Sequence, residues 1–332
     1  MNTTPLLYLS AADIRRVLPM TDAIAAMREA FAQLSNGQVT LPIRECLEAS
    51  GGDGVALVMP CQSTAQKMFS LKFITVFQDN PRRGLPSIQS LVILTDGTTG
   101  AHLAVMDGAS LTAIRTGAAS GLATDLLARP DAAAVAVFGA GVQARTQLEA
   151  VCCVRTIRRA CVYDTDTAAA DRFAAEMTHR LGLPVDRADT PARNLADVDV
   201  ICTATPSRKP VFEDSELSAG VHINAVGSFR PDMIEIPSAT VCRARVVVDH
   251  LASALEEAGD LLGPLRQGLI QESHFGTELG EVLLGRSPGR RQADEITLFK
   301  SVGVAIQDLC AATRALDNAR RLGLGTLLSA ET

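Results

Sequence analysis

Two hydrophobic periods follow one another along the chain. The first is helical. Ile14, Val17 and Leu18 share one face of a segment opened by Ser10-Ala11-Ala12-Asp13, a capping-box pattern. Ile24, Met27, Phe31 and Leu34 repeat that spacing after Pro19-Met20-Thr21, and Asn36-Gly37 ends the run. The period then shortens. Residues 40–48, 55–59, 69–77 and 87–95 are β-type runs separated by Gly, Pro, Asn and Asp. The last joins residues 101–106 through Asp96-Gly97-Thr98-Thr99-Gly100, which predicts a hairpin. Residues 1 to about 112 therefore read as an α+β unit with a mostly antiparallel sheet.

A helix is expected between about 112 and 128, broken at Ala128-Arg129-Pro130-Asp131. From there strands and helices alternate. Short apolar runs lie at 133–138, 160–163, 198–204, 221–226 and 245–249, with helical patterns such as 167–180 between some of them. This alternation predicts an α/β unit with a doubly wound parallel sheet. Residues 295–322 read as one long helix with an apolar stripe of Leu298, Val302, Ile306 and Leu309, able to cross back to the first domain.

The run 133–138 ends in Gly139-Ala140-Gly141-Val142-Gln143-Ala144, a Gly-x-Gly-x-x-Ala turn between a strand and a helix. That is the context in which this pattern signals a dinucleotide site. Gly139 permits the tight turn, Gly141 lets the backbone approach a pyrophosphate, and Ala144 lets the helix pack close to the strand. The new helix presents free N–H groups to phosphate oxygens. Asp164, closing the next strand, is placed to accept ribose hydroxyls and to repel a 2′-phosphate. The cofactor expected is NAD(H), with NADP(H) as the alternative.

Composition narrows the class. With 332 residues, two domains are expected. A net charge of −6 and the absence of long basic runs argue against a nucleic-acid surface. The eight cysteines form no Cys-x-x-Cys and lie mostly in apolar segments, which points to buried free thiols in a reducing compartment. The five histidines show no ligand spacing, so no metal site is expected. Residues 1–10 lack the features of a signal peptide, and no apolar stretch is long enough to span a bilayer; a cytoplasmic location is expected.

Three cations stand out in the first domain. Arg44, Lys72 and Arg115 lie in segments otherwise apolar or small. A buried cation needs an anionic partner. A substrate carboxylate would serve, and so would an internal acid such as Asp96 or Asp107.

The chain carries Leu41-Pro42-Ile43-Arg44, Leu71-Lys72, Asn80 with Gly84-Leu85-Pro86-Ser87, and the 96–100 turn. Met106-Asp107, Leu111-Thr112-Ala113-Ile114-Arg115-Thr116 and residues 138–144 follow. His222-Ile223-Asn224-Ala225-Val226-Gly227 and residues 295–303 complete the set. With these motifs in this order, the chain resembles the ornithine cyclodeaminase/mu-crystallin family over essentially its whole length. The resemblance implies a homodimer, with a substrate-binding and dimerisation domain of residues 1–114 and 303–332 around a Rossmann domain of residues 115–302. It implies that Arg44, Lys72 and Arg115 hold a substrate carboxylate, with Lys72 and Arg115 closest to the chemistry. Ser87, Arg115, Val142, Gln143, Asp164, Thr205, Val226 and Ser301 are placed around the dinucleotide, with Gly139 and Gly141.

Two departures redirect the expected activity. Cyclodeaminases of this family carry an aspartate shortly after the Asn-Ala-Val-Gly run, and here Phe229 aligns with it. They also carry a glutamate where Leu57 stands. Neither replacement can transfer a proton. The stretch is similar instead to the mu-crystallin side, whose members reduce cyclic ketimines. The expectation is an NAD(P)H-dependent reductase of Δ1-pyrroline-2-carboxylate or Δ1-piperideine-2-carboxylate, giving L-proline or L-pipecolate, with Lys72 or a water protonating the nitrogen. The alternatives are an ornithine cyclodeaminase, an alanine or N-alkyl amino acid dehydrogenase, and a non-enzymatic dinucleotide-linked binding protein. The partners expected are a small imino or amino acid and a second copy of the chain, with no nucleic acid or membrane.

Overall fold

The structure, a computed structural model, describes residues 5–328 apart from 43, 52–53, 78 and 196. Along the chain come β1 (Leu6–Leu9), α1 (Ala11–Val17), α2 (Met20–Ser35), β2 (Val39–Thr40), β3 (Glu45–Glu48), β4 (Gly54–Ser63), β5 (Met68–Phe77), β6 (Ile88–Asp96), β7 (His102–Asp107) and α3 (Gly108–Leu127). Next are β8 (Ala134–Phe138), α4 (Val142–Val154), β9 (Arg159–Tyr163), α5 (Thr167–Leu181), β10 (Val185–Arg187), α6 (Pro191–Asn194), β11 (Val200–Thr203) and β12 (His222–Ala225). The remainder is α7 (Ser238–Arg243), β13 (Arg245–Val248), α8 (Leu251–Glu257), α9 (Gly259–Arg266), α10 (Leu279–Leu283), β14 (Thr297–Lys300), α11 (Ala305–Leu322) and β15 (Thr326–Leu328). The chain divides into two compact units, Met1–Arg115 with Ala305–Thr332, and Thr116–Val304.

The first unit is built on an eight-stranded sheet in the order β15-β1-β7-β6-β5-β4-β2, with β3 also paired to β4. All its pairings are antiparallel except β1 with β7. The capping box at Ser10 forms: its hydroxyl accepts from Asp13 N–H, and Asp13 Oδ2 accepts from Ser10 N–H. Asp96 Oδ1 accepts from Thr98 N–H, Thr99 N–H and the Thr99 hydroxyl, closing the β6–β7 hairpin that the turn residues predict. α11 packs on α2 and on strands β4, β5 and β6.

The second unit is a seven-stranded, wholly parallel sheet ordered β10-β9-β8-β11-β12-β14-β13. Its central strands β8, β11, β12 and β14 are buried along their full length. One apolar layer gathers Phe138, Ile201, Ile223 and Leu298, and the other Val137, Leu148, Val162 and Phe173. Both faces are therefore covered, which is the doubly wound α/β class. The strand order reverses between β8 and β11, so a crevice opens at their C-terminal ends.

Three expectations are corrected. Residues 295–322 are not one helix: β14 runs over Thr297–Lys300 between β12 and β13, and α11 begins only at Ala305. A central parallel strand is apolar on both faces, so its run cannot be told from helix by period alone. The break is set by Asp249, whose Oδ2 accepts from Ser301 Oγ and from Val302 and Gly303 N–H. Residues 40–48 are two strands, with Arg44 in the intervening loop; the loop contains Pro42, which cannot serve a ladder. All eight cysteines are free, but only Cys61, Cys202 and Cys310 are buried, while Cys46 and Cys153 are exposed. The short strands β1, β10 and β15 carried no readable alternation. Among the described residues no helix is long and apolar enough to cross a membrane.

Candidate functional sites of the two units

In the second unit, β8 runs straight into the glycine turn. Gly139 takes φ +97°, and a Cβ there would lie 2.7 Å from the Ala204 carbonyl oxygen. Only glycine fits. Gly141 differs: it caps α4 in an extended conformation, and a Cβ on it would meet nothing within 4 Å. The chain thus leaves open space beside a helix N-terminus whose first N–H groups have no intrahelical partner. A cavity of about 700 Å³ opens at the same end of the sheet, lined by Gly139, Gly141, Asp164 and Thr205 among others.

Asp164 follows β9 immediately. Its Oδ2 accepts from Ala140 N–H at 2.7 Å and its Oδ1 from Asp166 N–H at 2.9 Å. One carboxylate therefore fixes the middle of the glycine turn and lines the cavity. Arg145 holds the turn from the other side, donating to the carbonyls of Ala140 and Gly141 at 2.6 and 3.0 Å while pairing with Glu176. Sequence reasoning missed Arg145; four residues beyond Gly141, it reaches back one helical turn. Val142 is 68% exposed at the start of α4, and Gln143 is half-buried beside it. Val226 is buried just beyond β12. Ser301 is buried with its hydroxyl committed to Asp249. The donors and the open space at Gly141 fit a dinucleotide pyrophosphate, and Asp164 fits its ribose.

In the first unit, β5 reverses the usual alternation. Its apolar residues Phe69, Leu71 and Phe73 face outward at 36–46% exposure, while Ser70 and Lys72 turn inward and are buried. Lys72 is 2% exposed, opposite Met59 on β4 and Val92 on β6. Its Nζ donates to Asp308 Oδ1 of α11 at 3.2 Å. Arg115, on α3, donates to the same oxygen through Nε at 3.2 Å and to Gln307 Oε1 through Nη1 at 2.5 Å. Burial lowers the Lys72 pKa to about 8; Asp308 opposes the shift, and the charges of Arg115 and Arg44 add to it. The nearby Cys61 thiol is pushed up to about 12 by burial and by Asp308.

Arg44, Lys72 and Arg115 are thus gathered in one unit. Of the two partners open to them, an internal acid is present, but it is neither Asp96 nor Asp107. Asp96 caps its hairpin, and Asp107 Oδ1 accepts from Ser110 N–H. For Lys72 and Arg115 the partner is Asp308, fully buried and overlooked because, between Ile306 and Leu309, it reads as a polar position on an amphipathic helix. Lys72 and Arg115, both buried, share one oxygen of Asp308, and the charge of half-buried Arg44 reaches Lys72. Ser87, in the same unit, is half-buried and its carbonyl accepts from Phe77 N–H. Leu57 lies on β4 opposite Ile74, and Phe229 is half-buried in the loop after β12.

The model of the ornithine cyclodeaminase/mu-crystallin family matches residues 6–322. A Delta(1)-pyrroline-2-carboxylate reductase of Bacillus cereus is 38% identical over 321 residues, covering 96% of this chain and 98% of that protein. The solved Delta(1)-pyrroline-2-carboxylate reductase of Thermococcus litoralis, in complex with NADH and L-proline, is 40% identical with a TM-score of 0.94, covering 97% of this chain and all of that one. An archaeal alanine dehydrogenase dimer with bound NAD is 33% identical with a TM-score of 0.91, covering 98% and 99%.

Proposed function

Because the chain belongs to the ornithine cyclodeaminase/mu-crystallin family, we propose that it is an NAD(H)-dependent reductase of cyclic imino acids, converting Δ1-pyrroline-2-carboxylate to L-proline and accepting the six-membered homologue. The observation that carries this reading is the buried cluster of Lys72 and Arg115, two cations that share a single carboxylate oxygen of Asp308. Such a cluster is incomplete until a small anion joins it. Asp308 and Gln307 occupy Nε and Nη1 of Arg115, which leaves its Nη2 edge for a carboxylate. The relatives that reduce Δ1-pyrroline-2-carboxylate, one of them holding NADH and L-proline, support the same substrate class.

When bound, the dinucleotide supplies a hydride. The turn at Gly139 and Gly141 with the N-terminus of α4 would hold its pyrophosphate, and Asp164 its ribose. Anchoring the carboxylate on Lys72 and Arg115 fixes the ring in one orientation, so positioning does much of the work. Protonation of its ring nitrogen turns the neutral cyclic imine into an electrophilic iminium, ready to accept hydride. Lys72, with a pKa near 8, holds a proton at neutral pH that it can deliver to the ring nitrogen. Phe229 and Leu57 offer no group for activating water, which favours reduction over deamination.

The test is to follow NADH absorbance with Δ1-pyrroline-2-carboxylate and Δ1-piperideine-2-carboxylate, and separately with pyruvate plus ammonia and with ornithine. Oxidation of NADH by the cyclic imines is expected, with NADPH at least about tenfold poorer because the Asp164 carboxylate opposes a 2′-phosphate. Turnover of ornithine or of pyruvate with ammonia, but of neither cyclic imine, rules the reading out.

A homodimer assembled through the outer face of the first unit's sheet completes the proposal. Phe69, Leu71 and Phe73 on β5 and Leu91 on β6 form an apolar surface there, each 36–47% exposed. An apolar sheet face of this extent is an interface signature, and the archaeal alanine dehydrogenase is itself a dimer. Phe73 and Leu91 are cross-strand partners. Changing both to arginine is expected to halve the mass seen by light scattering while leaving the circular dichroism spectrum unchanged. An unaltered mass places the interface elsewhere.

A further inference from the structure

Beneath the cavity of the second unit lies a group of buried charges that the reading above does not use. Glu235, Asp260 and Lys300 are each 0–1% exposed. Glu235 receives five hydrogen bonds. Its Oε1 accepts from Thr205 N–H at 2.7 Å and from the Thr205 hydroxyl at 2.9 Å. Its Oε2 accepts from Gly227 N–H at 2.7 Å, Ser228 N–H at 3.1 Å and the Thr203 hydroxyl at 2.9 Å. Asp260 Oδ1 in turn accepts from the N–H groups of Glu235 and Ile236 at 2.6 and 3.0 Å. Lys300 Nζ stands 2.8 Å from Asp260 Oδ2, an ion pair outside hydrogen-bond alignment, and donates to the Ser228 carbonyl at 2.5 Å.

The placement of the bonds is informative. Thr205 follows β11 by two residues and lines the 700 Å³ cavity, and Gly227 follows β12 by two. These are loops at the C-terminal edge of a doubly wound sheet, where ligands bind. At Gly227 a Cβ would lie 2.3–2.5 Å from Thr205 O, Thr205 N and Glu235 Oε1. The two loops and the carboxylate are in direct contact, with no side chain between them. Burying three charges is costly, and apolar packing alone would be at least as stabilising. What an ionised hub adds is geometry: amide N–H groups can only donate, and both Glu235 oxygens receive them. Burial and Asp260 raise the Glu235 pKa, while Lys300 and the Thr205 bonds oppose that.

We propose that Glu235 is a positioning residue for the dinucleotide, fixing Thr205 and the Gly227–Ser228 backbone as one surface, with Asp260 and Lys300 holding Glu235 and the loop in register. This rests on the reading that the second unit binds NADH. In Glu235→Gln, an amide NH₂ replaces one oxygen and meets N–H donors that it cannot accept from. The Kd and KM for NADH are expected to rise about tenfold, the loss of a charge-assisted hydrogen bond, with kcat at saturating NADH within about threefold of wild type. Thr203→Val removes a bond to the same carboxylate from within β11; it is expected to lower Tm while leaving the NADH Kd within about twofold.

Should Glu235→Gln not fold, Thr205→Val and Thr205→Ser decide the matter. Valine removes the hydroxyl bond to Glu235 and serine keeps it, so valine alone is expected to weaken NADH binding. The proposal is overturned if Glu235→Gln binds NADH as wild type does, if Thr203→Val weakens binding equally, or if the two Thr205 variants behave alike. Absence of NADH binding by the wild-type protein overturns the dinucleotide reading, and this proposal with it.

Discussion

In the Arg115→Met variant, kcat/KM for Δ1-pyrroline-2-carboxylate is expected to fall by about two to three orders of magnitude, the cost of truncating one partner of a buried, hydrogen-bonded charge pair. Methionine keeps much of the arginine volume, so the loss reports the guanidinium and not a cavity. Arg115→Lys should recover only part of the activity, because an ammonium cannot reproduce the planar fork that Asp308 and Gln307 orient. The pH profile separates this account from simple destabilisation. Lys72 carries its proton below a pKa of about 8, so activity that depends on its ammonium falls as pH rises through that value. Arg115 lowers that pKa and Asp308 raises it. Arg115→Met should therefore move the alkaline limb to higher pH, and Asp308→Asn should move it lower. A loss below about threefold in Arg115→Met would falsify the anchoring role. Limbs that move in the same direction in both variants would detach Lys72 from the profile.

That Asp308 governs this site was not legible in the sequence, and the reason is physical. Periodicity reports which face of an element is buried, not what a buried polar residue meets. Lys72 was visible because a lysine amid Leu71 and Phe73 contradicts its surroundings. Asp308 was hidden because α11 is buried nearly all round, so its acid looked like one polar position on an amphipathic helix. The same limit explains β14. The run Thr297–Lys300 is buried on both faces because sheet neighbours flank it and layers cover it, and only the pairing with β12 and β13 distinguishes it from helix. The parallel sheet and the antiparallel unit were readable, since alternation and glycine punctuation are local signals. Glu235, Asp260 and Lys300 were not, because 25 and then 40 residues of chain separate groups that meet only in the fold. The reversed alternation of β5 is informative in a further way. Sequence pattern alone would have turned Phe69, Leu71 and Phe73 inward, and the inward Lys72 puts them on the outer face.

Gly139 and Gly141 look equivalent in the sequence, and the structure makes them opposite in consequence. Gly139→Ala places a Cβ at positive φ and 2.7 Å from the Ala204 carbonyl, so the turn must shift or strain. Its effect is expected on folding: a lower Tm for the second unit, with NADH binding lost because the turn is lost. Gly141→Val meets neither obstacle. Its φ of −83° suits any residue, and a Cβ there touches nothing within 4 Å. The Tm should stay close to wild type, as for a surface substitution within about 0.5 kcal/mol. The branched side chain would instead occupy the space left beside the N-terminus of α4, where a pyrophosphate must approach the backbone. Overpacking of that kind costs about 1–3 kcal/mol, so the NADH Kd should rise by about one to two orders of magnitude without unfolding. Calorimetry paired with NADH fluorescence titration measures both quantities. A Gly141→Val protein that folds normally and binds NADH as tightly as wild type would remove the glycine turn from the cofactor site, and the space above α4 would then need another occupant.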